Sequence, residues 1–122
     1  MTLQELYESI DGDFSQAQRV LRMDKLIDKH IRKFTKNGIV EALLDAGERM
    51  DPTSLFETAH AVKGVCANLG LTNLAEAASE ITEEFRPGNS RRHSDEEVKE
   101  MLHRIRELYS KAKDGICRYE EA

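Results

Sequence analysis

The chain has 122 residues, of which 39% are hydrophobic and 34% charged, with a formal net charge of −5 at pH 7. That length supports one hydrophobic core rather than two, and the acidic balance disfavours nucleic acid as a partner. Aromatics make up 6% with no Trp, and only 7 Gly and 2 Pro are present, so a turn-rich sandwich or barrel would lack its usual punctuation and an all-α domain is favoured.

From Leu3 to Leu21 two short apolar runs, one with Leu6, Tyr7 and Ile10 and one with Phe14, Ala17, Val20 and Leu21, flank Asp11-Gly12-Asp13, which reads as two helical pieces around a turn. Leu26, Ile27, Ile31 and Phe34 share a stripe that predicts a helix over 24–36, closed by Asn37-Gly38, and His30 falls on the same row as a packed or half-buried histidine. Ile39, Val40, Leu43, Leu44, Gly47 and Met50 predict the next helix, antiparallel to its predecessor because the connection is short. Asp51-Pro52 announces another, with Asp51 as N-cap acceptor and Pro52 at the first helical position. Its core stripe is Leu55, Ala59, Val62, Cys66 and Leu69, ended by Gly70. After a restart at Leu71-Thr72, with Thr72 as cap, Leu74, Ala78, Ile81 and Phe85 mark the second arm of a helical hairpin that stops at Pro87-Gly88. A polar loop from Arg86 to His93 leads to Ser94-Asp95-Glu96-Glu97, the pattern of a capping box, and a last helix carries Val98, Met101, Leu102, Ile105, Leu108, Tyr109 and Ala112. The expected architecture is an antiparallel up-and-down four-helix bundle in a single domain over 1–122. Its bundle core spans about 24–113, a short extra N-terminal helical segment precedes it, and residues 114–122 form a frayed tail.

The helix that follows Asp51 has an unusual outer face. His60 lies about 140° from Leu55 on a helical wheel, and the positions stacked beyond it toward the C-terminus are Gly64 and Ala67. A glycine inside a helix costs roughly 0.5–1 kcal/mol relative to alanine, and Gly64 faces away from the core stripe, so a partner approaching from outside explains it better than close packing within the chain. Lys63, three residues after His60, can reach whatever is attached to the imidazole. Imidazole is a good nucleophile near neutral pH, an ammonium balances phosphoryl charge, and an uncluttered surface permits in-line approach by a donor. These residue types at this spacing suit a phosphoryl carrier.

Ala59-His60-Ala61-Val62-Lys63-Gly64, followed by Asn68-Leu69-Gly70, resembles the signature of the histidine-containing phosphotransfer (HPt) domain, an antiparallel four-helix bundle of phosphorelays. The resemblance covers most of the chain. It implies that His60 is the phosphorylated residue and Lys63 its charge-stabilising neighbour, with Gly64, Ala67 and Asn68 on the docking face for a receiver domain. It further implies response-regulator receivers and a hybrid histidine kinase as partners, and catalytic Mg²⁺ and carboxylate supplied by the receiver, with no cofactor bound by this chain. Val62 stands where leucine is commoner and Ala67 where glycine is usual; both keep the size class.

Other readings carry less. No run approaches the roughly 18 apolar residues of a membrane span, and Met1–Glu5 lacks the order of a signal peptide, so a cytoplasmic location is expected, while the charged helix faces suggest a monomer. Cys66 and Cys117 are far apart without CxxC spacing and read as free thiols. No glycine-rich phosphate loop, HExxH or GxSxG is present, and no two histidines share the i, i+3 or i, i+4 spacing of a helical metal site, so neither an ordinary enzyme nor a metal centre is expected. The basic group Arg86, Arg91 and Arg92 reads as a solvated turn. A helical adaptor, or an HPt relative that binds receivers without phosphotransfer, is the alternative to the carrier reading. A histidine kinase would need an ATP-binding domain that 122 residues cannot also hold.

Overall fold

The computed structural model describes residues 1–121, and among them every regular element is helical: α1 (Leu3–Ser9), α2 (Phe14–Leu21), α3 (Asp24–Phe34), α4 (Ile39–Arg49), α5 (Pro52–Asn68), α6 (Thr72–Phe85) and α7 (Asp95–Glu121). The signals that start and stop these helices are local. Thr2 and Glu5 form a capping box on α1, and Asp13 accepts the Gln16 N–H at 3.0 Å to open α2. Ser94 and Glu97 cap α7 reciprocally, as their spacing predicts. Two expected caps differ. The Asp51 carboxylate takes the Ser54 hydroxyl at 2.7 Å instead of a backbone N–H, and Thr72 turns its hydroxyl back to the Gly70 carbonyl, leaving Leu71 as the N-cap of α6.

Helices α4, α5, α6 and α7 close a ring in which each packs on the next and α7 returns to α4. Leu43, Leu55, Ala59, Val62, Ile81 and Ile105 are fully buried between them. The bundle therefore begins at Ile39 and not near residue 24. α3 lies against α2 and α7 and is not the antiparallel partner of α4, because Gly38, at φ +74°, sends the chain off in a new direction. Packed mainly on these two neighbours, α3 buries the narrow arc of Ile27, Ile31 and Phe34, which leaves both Leu26 and His30 exposed, against expectation.

The tail also departs from expectation. α7 continues unbroken through Gly115 to Glu121, with Ile116 fully buried. Gly115 is a packing glycine and not a stop signal: a Cβ there would run into Ile10 Cγ2 at the end of α1. Tyr119 donates to Asp28 on α3, and the Arg32 guanidinium lies 4.9 Å from the Tyr119 ring centroid. The last two turns are thus held by both α1 and α3.

The N-terminal helices fix the end of α5. Gly70, at φ +72°, has the Asp13 carbonyl where a side chain would stand, and its own carbonyl accepts the Asp13 N–H at 2.7 Å. The buried Tyr7 hydroxyl donates to the Leu69 carbonyl at 2.6 Å.

Candidate functional site

α5 is the central helix of the site, and its sequence divides cleanly by face. Leu55, Ala59, Val62 and Cys66 are fully buried against the bundle. His60 and Gly64 are exposed on the opposite side, while Lys63 and Ala67 are half-buried along its flanks. An ideal Cβ built on Gly64 meets nothing within 4 Å, so no contact inside the chain requires glycine there. The absence of a side chain serves the outer surface. Asn68 is exposed at the last turn of α5, about 12 Å along the axis from His60, and Ala67 is about 10 Å along. His60, Lys63 and Gly64 therefore form one compact group, with Ala67 and Asn68 extending the same face rather than touching the imidazole.

Three further side chains complete the surroundings of His60. Phe56, one turn earlier on α5, stacks on the imidazole with ring centroids 5.9 Å apart and planes 22° from parallel. The Arg86 guanidinium, at the end of α6, lies 5.3 Å from the Phe56 ring centroid. Glu83, one turn earlier on α6, accepts Arg86 Nε at 2.7 Å. The Arg86 hydrogen bond holds the Glu83 carboxyl below the usual carboxylate range, and the charges of Lys63 and His60 add to the effect. Two signals in the sequence could have found them: Phe56 and His60 are four apart on one helix, and a hairpin turning at Gly70 brings residues 83–86 level with 54–57.

The basic group of the α6–α7 connection splits in two. Arg86 faces α5, whereas Arg91 pairs with Asp95 at 2.9 Å and with Glu84 at 3.2 Å. Glu84, its side chain 2% exposed, also accepts the backbone N–H groups of Arg92 and His93 and the His93 ring nitrogen, at 3.1, 2.9 and 2.8 Å. Burial would raise the Glu84 carboxyl, but these donors outweigh it and bring it down to about 2. The same bond raises His93. Buried Glu84 was not anticipated, because a run reading Glu83-Glu84 on an amphipathic helix gives no sign of which carboxylate the following loop will cover.

Among the described residues no group of three His, Cys, Asp or Glu side chains is placed to hold a metal ion, and no helix is long and apolar enough to cross a membrane. Compared with protein families, the chain matches the Hpt domain over residues 2–114. No curated protein and no solved structure matches it. The match takes in six of the helices entirely and α7 through Asp114. Hpt domains are phosphoryl carriers of phosphorelays, not catalysts, and they interact with response-regulator receiver domains. An all-helical bundle that presents a histidine on the open face of its central helix agrees with this match, and the chain belongs to the Hpt family.

Proposed function

We propose that His60 is the phosphoacceptor of a phosphorelay carrier, taking a phosphoryl group from a receiver aspartyl phosphate and passing it to another receiver. The observation that carries this reading is the exposed imidazole beside Lys63, with open space at Gly64 that the fold itself does not use. A ring nitrogen of neutral His60 attacks phosphorus in line. The N–P bond forms as the O–P bond to aspartate breaks, the aspartate leaves as carboxylate, and the other ring nitrogen keeps its proton. Mg²⁺ belongs to the receiver in this scheme, where it screens the phosphoryl oxygens. Lys63 balances the charge that arrives, while Gly64, Ala67 and Asn68 form the surface on which the receiver settles. A hybrid histidine kinase supplies the first receiver, and the carrier works as a cytoplasmic monomer.

The test is transfer from a phosphorylated receiver, followed as acid-labile, base-stable label on the chain. Label should appear on the wild type and vanish in His60→Gln. Undiminished labelling of His60→Gln overturns the assignment.

A further inference from the structure

α5 and α6 run antiparallel about the Gly70 turn, which brings the end of α6 beside Phe56, where the Arg86 guanidinium lies 5.3 Å from the ring centroid. In the unmodified protein the carboxylate takes Arg86 Nε through Oε2 at 2.7 Å and through Oε1 at 3.3 Å. Arg86 rests over the ring of Phe56, and that ring in turn stacks on His60. Arg86 thus holds the Glu83 carboxylate at the edge of this stack, and the charges of Lys63 and His60 also act on it.

We infer that Glu83 occupies the electrostatic place of the phosphoryl group while His60 is unmodified, and that Arg86 passes from Glu83 to the phosphoryl oxygens once His60 carries them. The inference rests on His60 being the phosphoacceptor. A phosphoryl group brings close to two negative charges and three strong acceptor oxygens. A guanidinium fork matches that geometry better than an ammonium does. The flat ring of Phe56 gives Arg86 an apolar surface to move across without losing its cation–π contact. Once Arg86 turns to the phosphoryl group, Glu83 is left as a like charge beside it and disfavours the phosphorylated state. A carrier must both accept and release, and a site lined by cations alone would retain the group. Glu83 is therefore a tuning residue for release, and Arg86 a second phosphoryl-binding cation beside Lys63.

The experiment uses the full chain phosphorylated with phosphoramidate, and separately equilibrated with a receiver domain loaded by acetyl phosphate in the presence of Mg²⁺. Three readouts are taken: the phosphohistidine half-life, the equilibrium ratio of phosphohistidine to aspartyl phosphate, and the ¹⁵Nε shift of Arg86 before and after phosphorylation. Glu83→Gln should move the equilibrium toward phosphohistidine by roughly three- to tenfold and lengthen its half-life, and Glu83→Asp should return it toward wild type. Arg86→Gln should move the equilibrium the other way, and the Arg86 resonance of the wild type should shift on phosphorylation. A merely structural pair would alter the melting temperature and leave the equilibrium alone. Equilibria within twofold of wild type in both variants, or an unmoved Arg86 resonance, overturn the exchange while His60 keeps its role. Label that persists in His60→Gln instead overturns the phosphoacceptor reading beneath it.

Discussion

Replacing Gly64 by alanine should stabilise the isolated protein and should not help it function. The position is helical, lies about one turn from the end of α5, and has open space where a Cβ would go, so alanine introduces no clash. The gain is the helix-propensity difference alone, about 0.5–1 kcal/mol. Unfolding entropy of about 2.1 cal/mol/K per residue, taken over this chain, converts that gain to a rise in Tm of about 2–4 °C. Gly47 is the internal control. A Cβ there would run into Leu102 Cδ1 on α7, so Gly47→Ala sets an overpacking cost against the same helix-propensity gain and should be destabilising by up to about 2 kcal/mol net. Thermal melts followed by helical circular dichroism distinguish the two signs. The same preparations are then tested for transfer from a phosphorylated receiver, with Gly64→Gln added as a larger obstruction on the outer face. Gly64→Gln should fold with at least wild-type stability and lose at least tenfold in transfer rate, corresponding to about 1.4 kcal/mol or more at the barrier. Two results refute the reasoning: a lowered Tm in Gly64→Ala, which means a contact requires the glycine, or wild-type transfer in Gly64→Gln, which means no partner uses the opening.

Glu84→Gln should lower unfolding free energy by about 2 kcal/mol in urea titrations, since the amide cannot accept from the same four donors and leaves N–H groups of the α6–α7 connection unmatched. His93 gives a pH dependence of defined sign. Its titration point is raised in the folded protein, foremost by the bond to Glu84, so the stabilisation is fully present below about pH 6.5 and is lost as pH rises through the folded-state value. Glu84 stays ionised throughout that range, and unfolding free energies at pH 6 and 8.5 should differ in the wild type but much less in His93→Gln. The two thiols should separate kinetically. Burial pushes Cys66 up to about 12, whereas Cys117 is exposed, so at pH 8 one thiol per chain should react promptly with a disulfide reagent and the second only after unfolding.

Helix positions and the outward His60, Lys63 and Gly64 were legible because both depend on periodicity within one segment. Leu55, Ala59, Val62 and Cys66 define a buried arc by their spacing, and whatever lies opposite that arc is exposed whichever helices supply the neighbours. What could not be read depends on which helix meets which. His30 and Leu26 lie beside their apolar stripe in sequence, but the neighbours of α3 do not cover them and both are exposed. Gly115 looks like a terminator until α1 is placed against it. Glu83 and Arg86 were missed for the same reason, since their relation to α5 exists only after α6 folds back on it, whereas the i, i+4 spacing of Phe56 and His60 was open to reading within one helix. Glu84 was missed because its partners are mostly backbone N–H groups of a loop, which carry no side-chain signature.

The place of α1 bears on the order in which the molecule is made. Tyr7 is bonded to the Leu69 carbonyl, and Ile10 lies against Gly115, so the first helix finds its two anchors far downstream. The α5–α6 hairpin is a local structure and can close as soon as its own residues leave the ribosome, while α1 must wait for about a hundred further residues to be added. Until α7 is complete, Leu6 and Ile10 lack the Gly115 surface that covers them. The surface that carries His60 is thus assembled early, and the segment that locks its far end precedes it in the chain but completes its docking after it.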